Sequence, residues 1–206
     1  MIIDVDHIAF NSNNSQDDLI SSYEFIFSRE DILNPPEKKA FLRQYLPNHS
    51  LFFYKSPGNK SVPIEITNHG SIDSSVQSPN AFKGNTLLIP VQNLVSEIDL
   101  LKKIGFIEKD NNELFYSGLL LKCGLSIQLL EMDSKIDYFL DDIGITCLAF
   151  ISTNLQFDIE KIKNNIVLLS DEFTIDAGNK KLNIQICKSK NGFYYEFIKV
   201  LKNENN

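Results

Sequence analysis

Imidazole, thiol and carboxylate are the side chains that most readily exchange protons, and in this chain they recur in a repeated pattern. His7-Ile8-Ala9-Phe10 returns as Cys147-Leu148-Ala149-Phe150, with a looser copy, Thr86-Leu87-Leu88-Ile89, between them. Each copy opens an apolar strand and runs on to an Asn, at Asn14, Asn93 and Asn154. Each unit closes on a strand with an acid or amide at its centre: Pro63-Ile64-Glu65-Ile66, Ser126-Ile127-Gln128-Leu129 and Tyr194-Tyr195-Glu196-Phe197. The repeat therefore pairs His7 with Glu65, Thr86 with Gln128 and Cys147 with Glu196. The first and third pairs hold groups that titrate. The middle pair, a hydroxyl and an amide, holds none.

The elements that must position these residues can be read from periodicity and turn chemistry. Ile2 to Phe10 alternates as a strand, and Ser15-Gln16-Asp17-Asp18 supplies an N-cap and early acids for a helix through about Phe27. Arg29 to Asn48 carries Asn34-Pro35-Pro36, which breaks regular structure. Ser50 to Tyr54 and Val62 to Thr67 read as strands joined by a Pro-Gly-Asn turn, with His49 a turn residue at the strand entrance. Residues 71–84, rich in Ser, Asn and Gly, read as a linker. The second unit, 85–132, reads as strand Asn85 to Val91, helix Val95 to Ile104 stopped by Gly105, and strands Phe106 to Lys109, Leu114 to Lys122 and Leu125 to Glu131. The third unit, 143–202, repeats this order. Its strand runs Ile143 to Ser152 and its helix Phe157 to Asn165, before strands at Val167 to Ser170 with Phe173 to Ile175, at Lys181 to Cys187 and at Phe193 to Val200. The fold class expected is α+β, built from βαβββ modules at 1–70, 85–132 and 143–202.

The whole chain narrows the function further. Its 206 residues, 43% of them apolar, suffice for a proper core. With 20 basic and 27 acidic residues the net charge is −7, which disfavours nucleic acid as a partner. The amino terminus has no basic and then apolar leader, and no stretch is long and apolar enough to span a membrane, so a cytoplasmic protein with no membrane partner is expected. Three cysteines without close C-x-x-C spacing argue against a disulfide framework or zinc knuckle, and Cys123 and Cys187 read as small buried hydrophobes. Asp133 to Asp142 lacks the central Gly and closing Glu of a calcium loop and reads as a solvated connector. No Walker loop, G-x-G-x-x-G, G-x-S-x-G or H-E-x-x-H occurs.

Asp6-His7-Ile8-Ala9-Phe10, Gly105-Phe106 and Gly192-Phe193-Tyr194-Tyr195-Glu196-Phe197, set in βαβββ units, resemble the module of the vicinal oxygen chelate superfamily, which includes glyoxalase I, methylmalonyl-CoA epimerase and the extradiol dioxygenases. The resemblance implies paired modules whose strands form a curved, cup-like mixed sheet. It implies metal ligands on the first and last strands: His7, Glu65 and Glu196, with Cys147 where a second His or Glu would usually stand. A divalent ion there (zinc, nickel, manganese or iron) would leave positions open for two neighbouring oxygens of a small-molecule substrate. Glu65 or Glu196 would act as general base, and His69, Phe10, Phe53 and Tyr194 would contact the substrate.

The implied activity is metal-assisted proton abstraction, in a lyase or isomerase of the glyoxalase and epimerase type. Extradiol chemistry is less favoured, because it usually relies on two histidines and position 147 is a cysteine. The rivals are a metal-free binding protein and a structural relative without small-molecule activity. Three modules where the family uses an even number leave one unpaired. A homodimer is therefore expected unless residues 29–48 cap the free edge within the chain.

Overall fold

The computed structural model describes residues 1–12, 20–70, 76–118, 124–134, 137–177 and 180–201. The first module contributes β1 (Ile2–Asn11), β2 (Glu24–Leu33), β3 (Asn48–Lys55) and β4 (Ile64–Asn68). The middle module follows a short strand β5 (Ala81–Lys83) with β6 (Thr86–Val91), α1 (Leu94–Ile104), β7 (Ile107–Glu108), β8 (Glu113–Tyr116) and β9 (Leu125–Glu131). The third has β10 (Gly144–Ser152), α2 (Leu155–Ile162), β11 (Ile166–Leu169), β12 (Phe173–Ala177), β13 (Lys180–Ser189) and β14 (Tyr194–Leu201).

The first and third modules share a nine-stranded sheet in the order β11-β13-β14-β10-β1-β4-β3-β2, with β12 also on β13. Its centre is the antiparallel pair β1–β10, flanked by parallel pairs β1–β4 and β10–β14. The sheet curls so far that Arg29 on β2 donates to the carbonyl of Asp176 on β12, at the other end of the strand order. This is the α+β cup of paired modules. The middle module stands apart as a five-stranded sheet, β5-β6-β9-β8-β7.

Both helices start where the repeated Asn caps them. Asn93 accepts from Ser96 N at 2.9 Å, and Asn154 accepts from Phe157 N at 3.1 Å. Gly105 closes α1 at φ 120°, a backbone conformation that a side chain would strain. The helices and the middle sheet pack on the face of the large sheet opposite the cup. There Phe150, fully buried, meets Phe106 and Tyr116 of the middle module and stacks beside Tyr195 and Phe197. Glu97 of α1 is buried in this seam, where it accepts from Tyr195 Oη at 2.6 Å and Asn191 Nδ2 at 2.7 Å.

The structure corrects the sequence reading in four places. Residues 24–27, expected to end a helix, begin β2, the second strand that the first module otherwise lacks; residues 13–19, including Asn14, lie outside the described residues. His49 is a buried residue of β3, not a turn. The linker is partly built in, since Gln77 and Asn80 bridge Ile143 and Ile145, and 81–83 pair with β6; residues 71–75 are outside the described set. The acidic connector is buried at Asp141 and Asp142. Cys123 also lies outside the described residues, whereas Cys187 is fully buried.

Those two aspartates fasten a plug across the cup. Arg43 donates to both oxygens of Asp142 at 2.7 and 2.8 Å, while Asp141 accepts the backbone N–H groups of Arg43 and Gln44. The 3-10 turn Pro36–Phe41 is thereby held with Phe41 fully buried against the Tyr194 ring, 6.1 Å away between centroids. Of residues 29–48, 29–33 belong to the edge strand β2 of the large sheet and the stretch around Pro36–Phe41 enters the cup.

Candidate functional site

Register decides which side chains share the cup. Ala9 lies opposite Glu65 on one side and Cys147 on the other, and Ala149 lies between His7 and Glu196. Lateral neighbours in a sheet share a face and residues two apart in a strand share it too, so His7, Glu65, Cys147 and Glu196 all face inward. The parallel pairing of Glu65 with Ala9 and Glu196 with Ala149 recurs in the middle module as Gln128 with Leu88. The sequence repeat is therefore a repeat of strand register.

His7 is buried, and its Nδ1 stands 2.7 Å from Asp6 Oδ2. Because a carboxylate only accepts, that contact assigns the proton to Nδ1 and turns Nε2 inward. Nε2 lies 3.6 Å from Glu65 Oε2 and has no hydrogen-bond partner. A buried nitrogen left so costs about 1–3 kcal/mol unless something binds it. Burial alone would push the imidazole down, but attraction to Glu65, the Asp6 hydrogen bond and the charge of Glu196 together raise its pKa to about 9. Glu196, within electrostatic reach of both His7 and Glu65, has its pKa raised, chiefly by burial.

The donor types suit a divalent ion: one imidazole oriented by a carboxylate at its other nitrogen, and two carboxylates. The geometry is incomplete. Among the described residues no group of three or more His, Cys, Asp or Glu side chains comes close enough to hold a metal ion. Cys147 faces the cup but is fully buried, and burial, with Glu196 and Cys187 nearby, pushes its thiol well above the ordinary range.

The four residues expected to contact a substrate separate. Phe53 is half-buried in the cup, edge-on to His7 at 5.9 Å and stacked on Phe27 at 5.4 Å, making an aromatic rim. Tyr194 faces inward, but its hydroxyl donates to Tyr138 O at 2.8 Å beneath the plug, so it builds the wall. Phe10 pairs with Ile66, on the face opposite Glu65, and does not line the cup. His69 is buried and stacks on His49, ring centroids 5.2 Å apart. Lone residues missed by sequence pattern include Lys38, Arg43 and His49, because the Pro35-Pro36 region offers no periodicity to place them. The alternation of β3 could have found His49, two residues from Leu51 and four from Phe53 on one face.

No family profile matches the chain, and no curated protein matches it. Among solved structures it is similar to glyoxalase I from Zea mays, at 10% identity over 96% of this chain and 69% of that one, with a TM-score of 0.38. It is similar to a putative dioxygenase from Bacillus subtilis, at 9% identity over 97% of this chain and 63% of that one, TM-score 0.37. It is also similar to an integron cassette protein from V. cholerae, at 11% identity over 63% of this chain and 98% of that one, TM-score 0.37. The chain thus spans less than two thirds of the dioxygenase's length. The glyoxalase-like character of the fold rests on its strand order and register: the first and third modules joined through their first strands into one curved sheet, each with its last strand, β4 or β14, parallel to its first.

Proposed function

We propose that the chain is a metal-dependent enzyme of the glyoxalase and epimerase type, acting on a small oxygenated organic molecule by metal-assisted proton abstraction. The observation that carries this reading is the inward Nε2 of His7, buried, without a hydrogen bond and within ion-pair reach of Glu65 Oε2 at 3.6 Å. His7 and Glu65 would hold the ion, with Glu196 brought in as the third donor. The ion would supply polarisation of substrate oxygens. Asp6 holds the proton on Nδ1, so Nε2 is the nitrogen an ion would meet in place of the second proton that the pKa of about 9 keeps on the ring. Burial raises the pKa of Glu196, which suits a carboxylate to proton transfer, and the Phe53–Phe27 stack forms an aromatic rim beside His7.

Elemental analysis of protein purified without chelator tests this. Stoichiometric metal is expected, together with reduced occupancy in Glu196→Gln at unchanged thermal stability. Unchanged occupancy in that variant would remove Glu196 from the ligand set. The second reading, a metal-free binding protein, is favoured by the separation of the donors; a metal-free chain that still binds small molecules would establish it. The proposal includes a cytoplasmic location and a homodimer, to be checked by cell fractionation and by light scattering at micromolar concentration.

A further inference from the structure

The loop that enters the cup is closed on itself. Leu33 and Asn48, where it leaves β2 and joins β3, pair with each other. Asn34 then ties the neck three times: its N–H donates to Pro47 O at 2.7 Å, its amide donates to Leu46 O at 2.9 Å, and its carbonyl accepts from Tyr45 Oη at 2.6 Å. Pro35, Pro36 and Pro47 fix φ at both ends and restrict the residues before them. Residues 34–47 are therefore a compact Ω-loop that keeps its own shape. Leu33 is 72% exposed and Asn48 is exposed as well, so little packing opposes a backbone rotation at either.

The tip is fastened to a fixed post. Tyr138 O accepts from Tyr194 Oη at 2.8 Å and from Lys188 Nζ at 3.0 Å, and Leu140 O accepts from Asn11 Nδ2, which ties residues 138–140 to the large sheet. The loop grips this post where Leu140 N donates to Phe41 O at 2.9 Å, and through Arg43 on Asp142 and the N–H groups of Arg43 and Gln44 on Asp141. Phe41 covers the ring of Tyr194, which is the lateral neighbour of Cys147 and lies two residues from Glu196 on one face. The cover is dry and the latch is wet: Phe41 is 1% exposed, whereas the Arg43 side chain is 36% exposed. We propose that residues 34–47 form a lid that swings as one body about Leu33 and Asn48 when Arg43 leaves Asp142, and that small molecules reach His7 and Glu196 through this opening while both sheets stay folded. The inference rests on the reading of the cup as the ligand site and adds how that site is reached. Its test needs neither metal nor substrate.

The chain carries its own reporters of such a motion. Cys147 pairs with Tyr194 and faces the cup, whereas Cys187 pairs with Tyr195, whose hydroxyl is held by Glu97, and faces the opposite side of the same sheet. Both are buried, and burial pushes both thiols up, so neither is reactive while covered. A lid that lifts uncovers Cys147 alone. Global unfolding uncovers both.

The experiment is alkylation of the full chain by iodoacetamide in native buffer and in urea below the unfolding transition, with the Cys147 and Cys187 peptides quantified separately by mass spectrometry. Cys147 is expected to react at least about tenfold faster than Cys187. Its rate should change little with urea while that of Cys187 rises steeply, because the denaturant slope scales with the surface an opening exposes. Arg43→Lys, which keeps the charge and loses the fork, should speed Cys147 about tenfold and leave its urea slope shallow. The slopes in the parent decide between lid and static plug without any variant. Cys147 and Cys187 reacting together, with one urea slope, would overturn the proposal, and so would a Cys147 rate that Arg43→Lys leaves unchanged. A metal-free chain that gives both expected results keeps the lid and loses the metal reading alone.

Discussion

The paired modules and the middle module share one strand register and put it to different use. In the large sheet, β1 and β10 pair with each other, so the faces carrying His7, Glu65, Cys147 and Glu196 curl around a common interior. In the middle sheet, β6 has no partner module, and the three-residue β5 takes the edge that one would use. The positions equivalent to His7 and Glu65 there, Thr86 and Gln128, stay part-exposed, and Gln128 donates to Asn111 O. The opposite face of that sheet, with Leu87, Ile89, Val91, Ile127 and Leu129, is fully buried. Pairing, more than the module itself, makes the interior. Short edge strands such as β5 and β7 also limit edge-to-edge association, so the expected dimer would more naturally use β2, ten residues long with Phe25, Ile26, Phe27 and Leu33 exposed.

The sharpest way to break the contrast is to unfasten the plug. Arg43→Ala leaves Asp142, almost wholly buried, without its bidentate partner. Removing one member of such a pair costs about 3–5 kcal/mol, toward the low end here because Arg43 is itself a third exposed. A melting temperature unchanged by the substitution would mean that Asp141 and the backbone hold the plug alone. Next in size is the seam between the sheets. Glu97→Ala strands the Tyr195 hydroxyl and the Asn191 amide, at about 2–3 kcal/mol, whereas Glu97→Gln keeps most of the contacts and should lose less. Denaturant unfolding of the three proteins compares them. Equal stability would show that apolar contacts around Phe150 dock the middle module unaided.

The cup, which holds all three histidines, should also respond to mild acid. His49 and His69 stay neutral in the fold, their pKa values lowered to about 2 and 3 by burial and by Lys38, while in the unfolded chain they protonate near 6.5. The unfolded state therefore binds more protons below that value. Their contribution is present above pH 6.5 and is lost as pH falls toward the folded pKa values, by about 1 kcal/mol for each ring between pH 6.5 and 5.5. Replacing both by Gln should flatten that part of the stability profile. A double variant with the same acid slope as the parent would place the sensitivity in the carboxylates.

The sequence reveals the modules more fully than it reveals how they meet. The repeated strand with its Asn cap located β6, β10, α1 and α2 closely, because amphipathic period and capping are local. The inward face of His7, Glu65 and Glu196 was also legible, since alternation follows from the strand itself. What escaped was non-local. Nothing around Pro35-Pro36 announces that Phe41 and Lys38 fill a cup, and Asp141 and Asp142 look solvated until Arg43, 98 positions from Asp141, is brought onto them. Phe10, a substrate contact by the resemblance, lies three residues from His7 and pairs with Ile66, so it is on the other face of β1. The helix expected through Phe27 gives way to β2 from Glu24, because a good N-cap says where a helix can start and nothing about where a neighbouring strand, here β3, claims the chain.

The smallest expected effect bears most directly on the contrast. Thr86→His with Gln128→Glu rebuilds the first module's pair in the middle one, at positions with the same register. Both side chains are part-exposed, so stability should change by no more than about 0.5 kcal/mol. Metal content and ligand binding should not change either, because no second module faces these residues and the new imidazole and carboxylate would remain hydrated. Thermal melts and elemental analysis of the double variant against the parent measure both. An added equivalent of bound metal would mean that a single module suffices for a site, and the pairing of β1 with β10 would lose its place as the cause of the cup's chemistry.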